Sequence, residues 1–315
     1  MTNVDDSTEE RNIPVEENEK PHFVKNLVRL AFLGLLGILF LSLSSVWISK
    51  VFSVDIQALM SGNIETGNER ERSALRLLLV LNSVLAFILP AFIYNMVSDR
   101  KYIFNKIGIE STGEQGKKFI WAVGLFILSL PLVMFTAWVN QKIPLPEWAS
   151  QTEENVSGLL KMLLSEGTTT SLILNIVMLA LLPAIGEEWF FRGSLQRIFT
   201  QMWGDTHHIK AILLTAFLFS LLHFQFEGFL PRLLLGVVLG FIFYKTGNIW
   251  VAVFCHFLFN ASQILVAYMT QNDAQQIDAE KMDSPPLLVV VVCSILFFIL
   301  YKYSPGIKTD TDEQI

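Results

Sequence analysis

Eight apolar runs decide what this chain can fold into. They are roughly Leu27–Ile48, Ala74–Val97, Phe119–Val139, Ser171–Phe199, Ala211–Phe226, Phe229–Tyr244, Ile249–Met269 and Pro286–Tyr303. A helix needs about 20 apolar residues to cross a bilayer, and most of these runs are near that length, the fifth and sixth being short. Inside lipid a helix satisfies its own backbone polar groups, so the runs predict an all-α polytopic transmembrane helix bundle of about eight spans. Composition agrees: the chain is 52% hydrophobic and only 17% charged, too apolar for a soluble domain.

The polar stretches between the runs carry the topology. Residues 1–22 are polar and acidic and read as a disordered tail, and the first run is too long for the core of a signal peptide. Arg100, Lys101, Lys106, Lys117 and Lys118 crowd the loop between the second and third runs, whereas the loops after the third and seventh are richer in acids. By the positive-inside bias, both termini are expected on the cytoplasmic side. The net charge of −6 comes largely from tails and loops and argues against nucleic acid as a partner. Cys255 and Cys293 both lie in apolar runs, which supports neither a disulfide framework nor a cysteine zinc site. Between the third and fourth runs, Pro144–Glu166 has apolar residues spaced for one helix face and is expected to lie on the membrane surface.

Chemistry enters at Glu187-Glu188-Trp189-Phe190-Phe191-Arg192, at the end of an otherwise ordinary apolar stretch. Ionisable groups at that depth are costly unless paired or functional. Glu188 and Arg192 are four apart, on one helix face, and are expected to pair. Glu187 is rotated by about 100° and is left over. Pro183 deprives the Leu179 carbonyl of its helical partner and predicts a kink just before Glu187. Two further polar groups lie in separate runs: His223, in Phe219-Ser220-Leu221-Leu222-His223, and His256, four residues before Asn260. Three helices can therefore each bring one group to a common intramembrane cavity. A glutamate there can activate water, with a histidine and an asparagine amide stabilising an oxyanion. Glu187, His223 and His256 are equally a ligand set for zinc with one position open to water. Both routes are hydrolytic.

Glu187-Glu188-x-x-x-Arg192, then Phe219-x-x-x-His223, then His256-x-x-x-Asn260 resembles the motif series of the CPBP intramembrane proteases. That group includes the type II CAAX prenyl endopeptidases and bacterial homologues linked to bacteriocin processing and self-immunity. The resemblance covers about Ser171–Ala261, and Thr246-Gly247-Asn248-Ile249-Trp250 is similar as well. It implies that Glu187 activates water with help from His223, that His256 and Asn260 stabilise the oxyanion, and that Glu188 and Arg192 hold the site together. It also implies a membrane-embedded or lipidated peptide substrate, prenylated CAAX-type or resembling a bacteriocin or signal peptide, and either no cofactor or a divalent metal such as zinc. The segmentation that follows is a tail over 1–22, N-terminal transmembrane helices and a surface segment over 23–169, a catalytic core over 170–270, and a last helix with its tail over 271–315. With no eukaryotic sorting signal, the bacterial inner membrane is the expected location.

Each residue has a plainer alternative. A lone intramembrane histidine often just bonds a backbone carbonyl, and Glu188–Arg192 can be a purely structural clasp. Glu227 and Arg232, flanking a short turn, read by default as an exposed pair. A transporter or channel would place the same ionisable groups along an ion path, but the absence of an internal repeat gives that reading no support. A catalytically inactive immunity or scaffold protein is the third alternative.

Overall fold

Each apolar run forms or contains a helix in the structure, a computed structural model that describes residues 23–61, 67–98, 113–270 and 284–304. The tails at 1–22 and 305–315 and the basic loop at 99–112 lie outside the described residues. Among the described residues, ten helices of five residues or more follow one another: α1 (Phe23–Phe52), α2 (Ile56–Met60), α3 (Glu69–Ser98), α4 (Gly113–Asn140), α5 (Glu147–Leu164), α6 (Thr169–Trp203), α7 (His208–Leu221), α8 (Phe229–Thr246), α9 (Ile249–Thr270) and α10 (Leu287–Lys302). No strand occurs among the described residues.

Six helices, α1, α3, α4, α6, α8 and α9, contain stretches long and apolar enough to cross a membrane. The other two of the eight apolar runs form shorter helices. The fifth run becomes α7, a helix of 14 residues that stops at Leu221, and the eighth becomes α10, with 16 residues; both fall short of the ~20 a bilayer needs. Exposed apolar side chains line one side of α1, Val28, Phe32, Leu35 and Leu39 among them. In water such a face would be unstable; in an integral membrane protein it meets lipid.

Lipid removes most of the hydrophobic drive between helices, so close packing has to supply it. Helix α1 crosses α3 where a Cβ on Gly37 would lie 1.9 Å from the carbonyl oxygen of Leu85, a contact only glycine permits. One apolar cluster joins α4, α7, α8 and α9 through Leu125, Phe126, Ile212, Leu239, Ile242 and Cys255. Another joins α1, α3, α6 and α7 through Leu30, Tyr94, Phe191, Leu195 and Phe219. Helix α6 is thus enclosed by α3 on one side and α9 on another.

Helix α6 does not break at Pro183. It runs for 35 residues and takes up the missing hydrogen bond by widening. Over Ile176–Leu181 it is a π-helix, closed where the Leu182 N–H donates to the Val177 carbonyl. It becomes α-helical over Leu182–Glu187 and widens again over Glu188–Gln196. Such π segments accommodate a residue that an α-helix cannot, and they recur at functional sites. Here the junction falls between Glu187 and Glu188.

Candidate active site

Because Glu187 closes an α-helical turn and Glu188 opens a π-helical one, the two carboxylates part company. Glu188 is fully buried, and its Oε1 accepts from Arg192 Nη1 at 2.7 Å and from His256 Nδ1 at 2.8 Å. The pair expected from the spacing of Glu188 and Arg192 is therefore formed. Arg192, also fully buried, donates its Nη2 to the Gly236 carbonyl at 3.1 Å, and its guanidinium lies over the Phe219 ring at 4.6 Å. One clasp thereby ties α6 to α8, α9 and α7. Glu187 is 9% exposed and accepts no hydrogen bond from the described residues, but its Oε2 faces two imidazoles.

Those imidazoles come from opposite structural contexts. His256 sits mid-helix on α9, which a tight turn places antiparallel to α8. Gly247 takes a left-handed φ of 64° to end α8, and Asn248 Oδ1 accepts from the Trp250 N–H at 2.9 Å to start α9. This gives Thr246-Gly247-Asn248-Ile249-Trp250 its local role. His223, by contrast, is not within a helix. It lies in the turn just after α7, a correction to its expected place in a fifth transmembrane helix. The turn is held at three points. Asn140 Nδ2 on α4 donates to the Phe226 carbonyl at 2.7 Å, the Glu227 N–H donates to Glu153 on α5 at 3.1 Å, and Trp148 on α5 stacks edge-on against Phe226. Phe224, next to His223, is forced to a φ of +53°, a conformation that costs a side-chain-bearing residue about 1–2 kcal/mol.

Hydrogen bonding fixes which nitrogen of each ring is free. His223 Nδ1 lies 2.6 Å from the Phe219 carbonyl, which can only accept, so Nδ1 carries the proton. His256 Nδ1 faces the Glu188 carboxylate and is likewise the donor. When it is neutral, each ring therefore turns a lone pair at Nε2 toward Glu187 Oε2, and each Nε2 is 3.8 Å from it. Three acceptors converge on one small volume. A water molecule there has two protons to give, which suits a carboxylate and one imidazole; His256 Nε2 can donate to an oxyanion only when its ring carries both protons.

The zinc alternative fits this geometry poorly. Tetrahedral zinc with nitrogen and oxygen ligands holds neighbouring donor atoms about 3.3 Å apart, closer than the separations here. Among the described residues, no group of three His, Cys, Asp or Glu is arranged to hold a metal ion. Asn260 is half-buried one turn along α9 from His256, and among the described residues no hydrogen bond ties its amide to the cluster. Phe219 was visible in the sequence only as a motif letter. In the structure its ring lies edge-on to His223 at 4.9 Å and to His256 at 5.8 Å, so one aromatic seats both imidazoles and the guanidinium. Gln196, fully enclosed and donating to the Gly240 carbonyl at 3.0 Å, is a second α6–α8 tie that had no sequence signal.

No curated protein matches the chain. No solved structure matches it either. Residues 169–262 match the family model described as type II CAAX prenyl endopeptidase Rce1-like. The match begins with α6 and ends on α9, so it takes in Glu187, Glu188, Arg192, His223, His256 and Asn260. Over residues 169–262, this integral membrane protein is therefore similar to the Rce1-like family of type II CAAX prenyl endopeptidases, a family of proteases.

Proposed function

We propose that the protein is an intramembrane endopeptidase that hydrolyses a peptide bond of a membrane-associated substrate, with Glu187 as the general base on water. The observation that carries this reading is the division of labour between adjacent carboxylates. Glu188 is occupied by Arg192 and His256, while Glu187 is left without a hydrogen bond opposite two imidazole nitrogens. Water between Glu187 and His223 gives one proton toward each and attacks the scissile carbonyl. His256, doubly protonated and backed by Glu188, and the Asn260 amide then donate to the oxyanion. Glu187 returns the proton to the leaving nitrogen. A lipidated, prenylated CAAX-type peptide, or a bacteriocin- or signal-peptide-like one, is the substrate class, and both termini lie on the cytoplasmic side of the membrane.

Membrane-peptide proteomics of cells carrying the wild type or Glu187→Gln identifies the substrate, and cleavage of that peptide by purified protein measures the effect. Glu187→Gln keeps the shape but not the base, so cleavage falls by roughly 10²-fold or more. Asn260→Ala lowers it by about 10²–10³-fold. A Glu187→Gln protein that cleaves as fast as wild type rules the reading out.

A further inference from the structure

Arg232 sits in the first turn of α8, immediately after the loop that carries His223. The exposed pair with Glu227 expected from the turn is not what forms. The guanidinium is partly buried and turns back along its own loop, donating Nη1 to Gln225 Oε1 at 2.6 Å and Nη2 to the Gln225 carbonyl. Gly228 lies directly beneath it, where a Cβ would come within 2.9 Å of Cζ. The Nε is buried with no partner. No carboxylate among the described residues pairs with Arg232, although its charge acts on Glu187, Glu153 and His223.

Two neutral oxygens accept from the guanidinium, and the charges of Glu153 and Glu187 reach it only through space. A half-buried guanidinium held this way gains further from an anion that contacts it directly. The glutamates nearest in effect are otherwise engaged: Glu153 accepts from the loop backbone at Glu227, and Glu187 faces the imidazoles. An anion in direct contact with the fork would therefore be external, and it would arrive at the turn that carries His223. Arginine suits it, since its planar fork matches a carboxylate.

Resting on the proteolytic reading above, we infer that Arg232 is a specificity-determining residue that receives a carboxylate of the substrate close to the scissile bond. That carboxylate is either the free C-terminus of the chain being cut or an acidic side chain near it. Gly228 keeps the guanidinium face accessible to the loop backbone, and Gln225 fixes its plane, so the fork is oriented before substrate arrives.

The test uses full-length protein in lipid nanodiscs and three S-farnesyl cysteinyl peptides continuing Val-Ile-Met: the free acid, the C-terminal amide, and an amide with Glu in place of Met. Binding is measured in the non-cleaving Glu187→Gln background, with and without Arg232→Gln, and cleavage with Glu187 intact. The free acid is expected to bind roughly ten- to a hundredfold more tightly than the amide, an advantage seen in KM rather than kcat. Arg232→Gln should bring the ratio close to one. Recovery of tight binding by the Glu-containing amide assigns the site to side-chain carboxylates instead of the terminus. If Arg232 only braced the loop, its removal would weaken acid and amide alike and leave their ratio unchanged, which overturns the inference. Equal binding of all three peptides to the protein with Arg232 intact overturns it as well. Discriminating binding without cleavage by wild type supports the Arg232 site and sinks the endopeptidase reading, and no binding of any peptide sinks both.

Discussion

Two clusters in this protein use the same chemistry, a glutamate held by arginine, at opposite degrees of burial. In the middle of the fold Glu188 meets Arg192 and His256, and neither side chain of the ion pair is exposed. At the join of α5 and α6, Glu166 accepts from Arg72 at 2.7 Å and from Arg76 at 2.5 Å, with about a fifth of each pairing surface open to solvent. Arg76 also donates to Ser171 at 3.0 Å, on the first turn of α6. The outer cluster has two cations to one anion and tolerates the imbalance because water and counterions screen it. The inner cluster has no such relief. Its charges balance locally, and even so Glu188 Oε2 and Arg192 Nε remain without partners. What differs is the consequence of losing one member: small where solvent can take its place, severe where it cannot.

The largest effect should therefore come from Arg192→Ala. It strands a buried carboxylate, loosens His256 and empties the space over Phe219, at a cost of about 3–5 kcal/mol. Thermal unfolding of detergent-purified protein measures this, and an Arg192→Ala protein as stable as wild type would mean the inner cluster behaves like the outer one. A double substitution, Arg192→Met with Glu188→Leu, sharpens the comparison. Replacing a buried pair by apolar residues of similar size is often close to neutral, so folding should return while cleavage stays lost, because His256 has no Nδ1 partner.

Next in size is Gly37→Val, which contains no charge at all. Its side chain must displace the α3 backbone at Leu85, costing about 1–3 kcal/mol through overpacking. The same unfolding assay places this purely steric loss between the two electrostatic ones; a neutral result would show that α1 is free to move away from α3.

The smallest is Glu166→Gln, expected at about 1 kcal/mol or less at neutral pH and shrinking further in high salt. Its pH dependence has a definite sign. Partial burial pushes the Glu166 carboxyl up, but hydrogen bonds from Arg76, Ser171 and Arg72 outweigh this and hold it below the ordinary 4.5. A carboxyl with a lowered folded value contributes stability that is present above the unfolded value and is lost as the pH falls through the folded one. The difference between wild type and Glu166→Gln should thus be constant well above pH 4.5 and be lost progressively as the pH falls from there through the lower, folded value. A difference that persists in acid would show that Glu166 acts by shape and not by charge.

Much of this was readable along the chain. The apolar runs demand helices because lipid offers backbone groups no other partner, and Glu188 meets Arg192 because residues four apart share a helix face. Glu187 could be singled out by the same local geometry. Pro183 was legible as a disturbance but not as its outcome, since whether a helix breaks, bends or widens depends on what encloses it. Here α6, packed between α3 and α9, stays continuous and widens into π turns on either side of the proline. His223 was placed on a membrane span because its run is apolar throughout. The chain instead leaves the helix at Leu221, where Asn140 and Glu153 from distant segments capture the next turn.

By itself, then, the sequence determined the helices, their order, and every contact that spans a single helical turn, because those follow from backbone hydrogen bonding and side-chain period. Only the tertiary structure decided that His256, 68 residues away, takes Glu188 and leaves Glu187 open, and that Phe219 seats both imidazoles. It also decided that Arg232 folds back onto Gln225, with no carboxylate among the described residues paired to it. These depend on which surfaces helices present to one another once packed, and that is a property of the whole bundle that no local spacing encodes.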